Sequence, residues 1–164
     1  MVKIRSASLA DIPAITKIYN DAVLNTVASF DTEVKTVEDR EAWFENHHPR
    51  YPVLVAIDEG TIVGWASLSP WSDRYAYAET VEDSVYVTEG YQRHGIGKKL
   101  LEELLKQGLK AGFHTVIARI ADTNNSSIHL HKIFGFKIVG IMKEVGFKFG
   151  KLLDIYLMQK IFEE

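Results

Sequence analysis

Apolar residues recur at helical spacing in two long segments of the chain. Between residues 96 and 111 they share one helix face, and Gly112 follows as a C-terminal cap; the face comprises Ile96, Leu100, Leu101, Leu104, Leu105 and Leu109. The capping box Ser8-Leu9-Ala10-Asp11 predicts an earlier helix that ends near Val23, with an apolar face of Ile12, Ile15, Ile18, Tyr19 and Ala22. Both helices are therefore expected to pack one face against a core.

A shorter helix is predicted from its start and stop signals. Thr36 followed by Asp39 is a typical helix start, and His48-Pro49 disfavours continuation of the helix. The apolar residues between these signals are Trp43 and Phe44, which we expect to be the buried part of this helix.

Period-two alternation predicts the strands. Segment 80–87 places Val81, Val85 and Val87 on one side and Glu82, Ser84 and Tyr86 on the other, as in a strand used on both faces. Strands 53–57 and 62–68 flank Asp58-Glu59-Gly60, a compact turn that predicts an antiparallel hairpin. Further strands are expected at 2–5, 114–120, 137–147 and 152–162, with a helix at about 125–134. This order predicts an α+β fold with a mixed sheet.

Composition limits the class of protein. The 164 residues, 46% hydrophobic and 25% charged, suffice for one domain, 1–164, with a sizeable core. The net charge of -3 gives no general field for nucleic acid or an anionic membrane, so neither partner is expected. No cysteine is present, which excludes disulfides, thiolate metal sites and acyl transfer through a cysteine thioester. Without an apolar N-terminal run or a 20-residue apolar span, we expect a cytoplasmic protein.

The segment Gln92-Arg93-His94-Gly95-Ile96-Gly97-Lys98 joins a predicted strand to the leucine-faced helix. Glycines let backbone N–H groups converge on one point, where the helix N-terminus adds about half a positive charge, so the loop can bind an anion. The alternative is a helix that is merely capped by glycine. The loop is not a P-loop, because no hydroxyl residue follows Lys98, and Leu100 stands where a dinucleotide fingerprint needs a glycine.

The pattern Gln/Arg-x-x-Gly-x-Gly/Ala resembles the pyrophosphate loop of the GCN5-related N-acetyltransferase (GNAT) superfamily. Asn124, His131 and Gly135-Phe136 stand where that family has an Asn, an aromatic or polar residue and Gly-Phe. Within the family, segments 80–87, 130–136 and 146–150 resemble the phosphinothricin and methionine sulfoximine N-acetyltransferases. The resemblance covers nearly the whole chain. It implies the GNAT fold, a mostly antiparallel mixed sheet with a splayed central strand pair, flanked by helices.

The resemblance also implies acetyl-CoA as cosubstrate and a set of residues that bind it. Main-chain N–H groups of Val85 and Val87 would hold the pantetheine arm and the thioester oxygen. Asn124 would contact the same arm, although Asn124-Asn125 alone is typical of a helix N-cap. The full predicted set for acetyl-CoA is Val85, Tyr86, Val87, Arg93, His94, Gly95, Ile96, Gly97, Lys98 and Asn124.

With no cysteine, the simplest acetyl transfer is direct attack of a substrate amine on the thioester. Glu82 is the candidate general base, matching an acidic residue with this role in the resembling branch; the alternative is a solvated strand glutamate. His131 stands where much of the superfamily has a tyrosine that protonates the leaving thiolate, and it is the candidate acid. A histidine there could also cap the helix, pack or contact the cosubstrate.

The loop before the Glu82 strand is the candidate acceptor site. Arg74 suits an amino-acid carboxylate, and the resemblance implies substrate contacts from Trp71, Arg74, Tyr75, Ala76 and Tyr77. Phe30 is a further candidate for the pocket wall, or else a core aromatic. The branch often has Arg at position 78 and Trp at position 152, where this chain has Ala78 and Leu152. A homodimer is implied by the resemblance alone.

Other functions remain open. The acceptor could be a polyamine or a peptide N-terminus, and Asp73, Glu79 and Glu82 would suit a polyamine. A non-catalytic acyl-CoA sensor would keep the glycine loop and have no use for a base at Glu82. The six histidines lack metal-ligand spacing, so no metal is expected. Glu102 and Glu103 interrupt the lysines of the 96–111 helix, which argues against a nucleic-acid-binding stripe.

Overall fold

A computed structural model describes residues 1–47 and 49–163. Within these residues, the strands and helices follow one another in the predicted order. The elements are β1 (Val2–Ser6), α1 (Ile12–Asn25), α2 (Val37–His47), β2 (Val53–Asp58), β3 (Thr61–Pro70), β4 (Thr80–Val87), α3 (Ile96–Lys110), β5 (Thr115–Ala121), α4 (Asn125–Ile133), β6 (Lys137–Lys148) and β7 (Lys151–Ile161). The α+β fold class is confirmed. His48, which was predicted to follow α2, lies outside the described residues.

Local hydrogen bonds explain where the helices and the first hairpin begin. Asp11 accepts from the Ser8 N–H at 2.8 Å in the predicted capping box, which opens a 3-10 turn before α1. Thr36 and Asp39 exchange side-chain to backbone hydrogen bonds of 3.1 and 3.0 Å at the start of α2. Glu59 and Gly60 both have positive φ, 48° and 81°, as a two-residue hairpin turn requires.

Three details of the sequence prediction are wrong. Helix α1 ends at Asn25 rather than Val23, because the Thr26 N–H still donates to the Ala22 carbonyl at 3.0 Å. Trp43 and Phe44 are only half-buried, and the buried residues of α2 are Arg40 and His47. Leu109 is 47% exposed, because it lies beyond the edge of the helix face that the other apolar residues and Gly108 bury.

The strands form one sheet in the order β1-β2-β3-β4-β5-β7-β6. Every neighbouring pair is antiparallel except β4 and β5, which are parallel. That pair is joined over three residue pairs, from Thr80↔Thr115 to Glu82↔Ile117. Beyond Glu82, β4 continues along β3 while β5 continues along β7, so the sheet opens at its centre.

Both faces of the sheet are covered. On one face, Leu54 and Ala56 of β2 pack in a cluster with the buried leucines of α3. On the other face, Val53 and Val55 pack with α1 and Trp65. The alternation of side chains along β2 thus places successive residues in two different clusters, and helices cover the sheet from both sides.

Candidate active site

A cleft of about 550 Å³ lies where β4 and β5 separate. It exists because the two strands stop pairing at Glu82 while each continues along its other neighbour. Its walls come from the middle of β4, the end of β5, the first turns of α4 and the loop after α1, and they include Phe30, Glu82, Asp83, Val85, Tyr86, Arg119, Asn124 and His131. Six of these eight residues are predicted site residues; Asp83 and Arg119 are additional.

The backbone of β4 faces this opening with alternate residues. Its ladder with β3 is continuous from Pro70↔Val81 to Gly64↔Val87. At its two ends the Thr80 carbonyl accepts from Trp71 and the Thr88 N–H donates to Val63, so even-numbered residues bond to β3. Odd-numbered residues, including Val85 and Val87, therefore direct their N–H groups to the opening. This is the orientation that the predicted contacts with the thioester require.

Glu82 lies in the cleft beside an arginine that the sequence analysis missed. Its two carboxylate oxygens accept from Arg119 Nε at 2.6 Å and Nη2 at 2.7 Å. The Glu82 side chain is 20% exposed and that of Arg119 is 52% exposed, so the pair is open to the cleft. The hydrogen bonds that Arg119 donates to Glu82 raise the pKa of Arg119, which carries a fixed positive charge. The guanidinium also lies 5.4 Å from the ring centre of Trp71.

His131 is deeply buried and paired with Asp83. Its Nε2 lies 2.7 Å from a carboxylate oxygen of Asp83, and its Nδ1 lies 2.7 Å from the Ser127 carbonyl. Both nitrogens face acceptors, so only the imidazolium form can donate to both. Burial lowers the pKa of His131, but the charge of Asp83 and the two hydrogen bonds outweigh it, so the pKa is raised.

Asn124 caps helix α4 at the edge of the cleft. Its side-chain oxygen accepts from the Ser127 N–H at 3.3 Å and from the Ser126 hydroxyl at 3.2 Å. The helix-capping role is therefore confirmed, and the side chain also lines the cleft. Contact with the pantetheine arm stays a prediction.

The glycine loop has the geometry of an anion site. Gly95 is the N-cap of α3 with φ of +78°, and Arg93 also has positive φ, 66°. The first hydrogen bond within the helix runs from the Lys99 N–H to the Gly95 carbonyl, so the three preceding N–H groups project from the helix end. Residues 92–95 are exposed. This loop lies outside the cleft walls, but a Cβ at Gly97 would lie within 4 Å of Val85 and Val87, so the start of α3 lies close to the opened strand.

The two groups needed to hold acetyl-CoA, the N-terminus of α3 and the unpaired N–H groups of β4, are therefore close to one another. A free helix N-terminus would meet the anionic pyrophosphate, and the outward N–H groups of β4 would meet the amide-rich arm. The unpaired edge of β4 runs from the N-terminus of α3 to the cleft that contains Glu82. The residues of this chain thus fit the cosubstrate.

The loop before β4 is placed differently from the predicted acceptor site. Arg74, Tyr75, Ala76 and Tyr77 are exposed, with Tyr75 at 92%, and the cleft walls do not include them. Only Trp71 approaches the site, through its contact with Arg119. Substrate binding by residues 74–77 stays a prediction that the geometry of the cleft does not support.

The loop after α1 forms the opposite wall and is firmly held. Tyr19 hydrogen-bonds to Ser29 and Asp31, and buried Lys148 donates to the Ser29 carbonyl at 2.6 Å. Burial raises the pKa of Tyr19 to about 12, so its phenol stays protonated and donates. A Cβ at Gly146 would come within 2.8 Å of three ring atoms of Phe30, which shows how closely β6 packs on this wall. Phe30 is thus both a packed aromatic and a cleft residue.

Two further features concern metal and membrane sites. Across residues 1–47 and 49–163, no three His, Asp or Glu side chains gather where they could hold a metal ion. His47 is held by the Trp43 carbonyl at 2.7 Å and the Ser69 hydroxyl at 2.8 Å, as a packing histidine is. In the same part of the chain, no helix has both the length and the apolar character needed to cross a membrane.

Comparison with known proteins identifies the family. A sequence profile described as the acetyltransferase (GNAT) family matches residues 14–136, and the chain belongs to this family of acetyl-CoA-dependent acetyltransferases. The resemblance inferred from the glycine loop, Asn124 and Gly135-Phe136 is confirmed, as are the GNAT fold and acetyl-CoA as cosubstrate.

Individual relatives are similar over most of their length. An L-methionine sulfoximine/L-methionine sulfone acetyltransferase of Salmonella typhimurium is 41% identical over 98% of this chain and 95% of its own. A phosphinothricin acetyltransferase of Sinorhizobium meliloti, solved with acetyl-CoA, superposes with a TM-score of 0.96 at 39% identity, over 99% and 89% of the two chains. A ribosomal-protein-alanine N-acetyltransferase of Brucella melitensis has a TM-score of 0.94 at 43% identity, over 98% and 99%.

Proposed function

We propose that this protein transfers the acetyl group of acetyl-CoA directly to the amine of a small amino-acid-like acceptor of the methionine sulfoximine, methionine sulfone or phosphinothricin type. The names of the sulfoximine and phosphinothricin relatives support this acceptor class. The observation that carries the proposal is Glu82, which lies in the cleft at the point where β4 leaves β5. A carboxylate at that point suits a base for an incoming amine.

The residues divide the reaction among them. Glu82 removes a proton from the acceptor ammonium, directly or through one water, and the freed amine attacks the thioester carbonyl carbon. The N–H groups of Val85 and Val87 stabilise the negative charge that develops on the thioester oxygen. The carbon–sulfur bond then breaks, and the thiolate takes a proton. The amine, thioester and thiolate thus each have a partner in the cleft.

His131 is the proposed source of the last proton. Its geometry favours the imidazolium, which holds a transferable proton at neutral pH. Donation requires the Nε2–H to leave Asp83, because Nδ1 is held by the Ser127 carbonyl. Asp83 is therefore part of the proposal, as the residue that keeps His131 charged.

Glu82→Gln distinguishes an acetyltransferase from a non-catalytic acyl-CoA sensor. Glutamine keeps the size of the side chain and cannot accept the proton, so turnover should fall about 10²- to 10⁴-fold. Acetyl-CoA affinity, measured by calorimetric titration, should stay unchanged because Glu82 is not among the residues proposed to hold it. The matched control is Glu79→Gln, the same change on an exposed side chain before β4. Equal turnover of the Glu82 variant and the wild type would remove Glu82 from the mechanism.

A panel of acceptors tests the substrate class. Release of free CoA would be measured with methionine sulfoximine, phosphinothricin, free amino acids, polyamines and short peptides. The Brucella relative favours a peptide N-terminus as second candidate, because its name specifies a ribosomal-protein alanine. Turnover on peptides alone would overturn the amino-acid acceptor and keep the transfer mechanism. No turnover on any compound, with acetyl-CoA bound, would favour the sensor.

The setting of the enzyme is also a proposal. Residues 1–164 would act as one domain, in the cytoplasm, where acetyl-CoA and free amino acids are both available. We propose a homodimer through the exposed surface of β6, β7 and the turn between them, because this surface carries exposed apolar side chains, namely Val139, Ile141, Phe147, Phe149 and Leu152.

A further inference from the structure

The Glu82–Arg119 pair poses a difficulty for the proposed base. Arg119 donates to both carboxylate oxygens of Glu82, at 2.6 and 2.7 Å, in the two-pronged geometry that guanidinium and carboxylate groups favour. One guanidinium therefore takes up two of the roughly four lone-pair sites of the Glu82 carboxylate. Glu82 becomes more available to an ammonium group when another acceptor draws Arg119 away.

An α-amino acid carries what is needed to compete. Its carboxylate can accept both hydrogen bonds from the Arg119 guanidinium. Its ammonium nitrogen, two bonds from the carboxyl carbon, can donate to Glu82. The negative Glu82 and the positive Arg119 lie side by side. Glu82 can therefore face the ammonium group of the zwitterion while Arg119 faces its carboxylate. Glu82 and Arg119 are thus complementary to an amino acid as a unit, whereas a simple amine offers nothing to Arg119.

We propose that Arg119 is the receptor for the acidic group of the acceptor, and that acceptor binding transfers Arg119 from Glu82 to that group and frees Glu82 as the base. The inference rests on the proposed function and adds the residue that selects the acceptor. No bond is made or broken in this exchange, because one carboxylate replaces another as partner of the same guanidinium. Deprotonation of the acceptor ammonium by Glu82 then follows.

The surroundings of Arg119 suit this role. Its side chain is 52% exposed and lines the cleft, so an acceptor can reach the guanidinium. The Trp71 ring, 5.4 Å from the guanidinium carbon, limits its movement away from the cleft. Arg74, the carboxylate partner expected from the sequence, lies in an exposed turn outside the cleft walls. Arg119 is therefore better placed than Arg74 to bind the acid.

The test compares an acid with its decarboxylated counterpart. L-Methionine sulfone and 3-(methylsulfonyl)propylamine share the amine and the sulfone, and only the first has a carboxylate. In the wild type, kcat/KM should favour the acid about 10- to 100-fold, the range for hydrogen bonds between charged groups. Arg119→Met should bring this ratio to about 1, mainly through a higher KM for the acid, and Arg119→Lys should restore part of it.

Two controls separate this role from a structural one. Arg50→Met makes the same change on an exposed arginine that stacks on Phe113, and it should leave the ratio unchanged. Acetyl-CoA titration checks that each variant retains a folded cosubstrate site. An unchanged ratio in Arg119→Met, with the sulfone still acetylated, would overturn this inference and leave the proposed function intact. A wild type that acetylates neither compound would overturn both.

Discussion

The buried pair of His131 and Asp83 predicts a stability difference that depends on pH. Both side chains are 4% exposed, and His131 faces acceptors on both nitrogens. Asp83→Asn keeps the shape of the side chain and removes the charge that favours the imidazolium. Burial then dominates, so the variant should hold a neutral His131, with Nδ1–H on the Ser127 carbonyl and Nε2 accepting from the new amide.

The sign follows from the pKa of His131. In the wild type this pKa is raised in the folded state, so the pair's stabilisation is fully present below the ordinary histidine value of 6.5. It is lost as the pH rises through the higher folded pKa. In the variant, folding requires His131 to lose its proton, so stability falls at acid pH instead. The stability gap between the two proteins is therefore largest at acid pH and shrinks as the pH rises.

The size of the gap follows from what is removed. Removing one partner of a buried charged pair costs about 3–5 kcal/mol, which we expect near pH 5.5. Near pH 9, where histidine is neutral in both unfolded chains, the gap should be about 1 kcal/mol, the worth of a neutral hydrogen bond. Urea unfolding followed by tryptophan fluorescence at several pH values gives the two free energies of unfolding, and their difference cancels the other titrating groups.

The control is Asp73→Asn, the same change at an exposed position, which should stay within about 0.5 kcal/mol of the wild type at every pH. A gap for Asp83→Asn that is constant with pH, or that grows towards alkaline pH, would refute the assignment of a charged His131.

Two more predictions concern the glycine loop and the outer strands. Gly95→Val places a β-branched residue at φ of +78°, beside the free N–H groups of α3, so acetyl-CoA affinity should fall at least about tenfold in a calorimetric titration; affinity equal to wild type would refute the loop assignment. Phe147→Asp puts a charge on the apolar β6–β7 face, where Phe147 is 67% exposed, and should convert a dimer to a monomer in light scattering. A wild type that is monomeric at micromolar concentration would contradict the dimer directly.

Much of the fold follows from local signals in the sequence. The alternation in 80–87 matches β4 at both ends, and the leucine spacing matches α3 to within one residue. These elements are predictable because their apolar period equals the geometric period of the element that buries them. Leu109 shows the limit of this reasoning: its spacing brings it only to the edge of the helix face that Leu105 and Gly108 bury, and it stays exposed.

The site was predictable where a motif carries it and not where distant segments meet. Gly95 was found from the pattern of the glycine loop, and Asn124 and Glu82 from the family resemblance, whereas Arg119 lies 37 positions from its partner Glu82. Asp83 had a usable signal: alternation places it on the same face as buried Val81, and a carboxylate on a buried face needs a partner. The exposed turn of residues 74–77 was placed in the site by its position before β4, by the charge of Arg74 and by resemblance, but only Trp71 of that loop approaches the cleft.

The short parallel seam between β4 and β5 has a mechanical consequence. The sheet consists of two parts, which we call plates: β1 to β4 and β5 to β7. Three residue pairs between β4 and β5 join the two plates, together with the helices that pack on both. Opening along such a seam breaks few backbone hydrogen bonds, which favours local opening of the sheet at this point. The amides of Val85 and Val87 should exchange with solvent faster than their even-numbered neighbours. A molecule that binds along the seam would clamp the plates together, so cosubstrate binding should also set how far the acceptor side of the enzyme can flex.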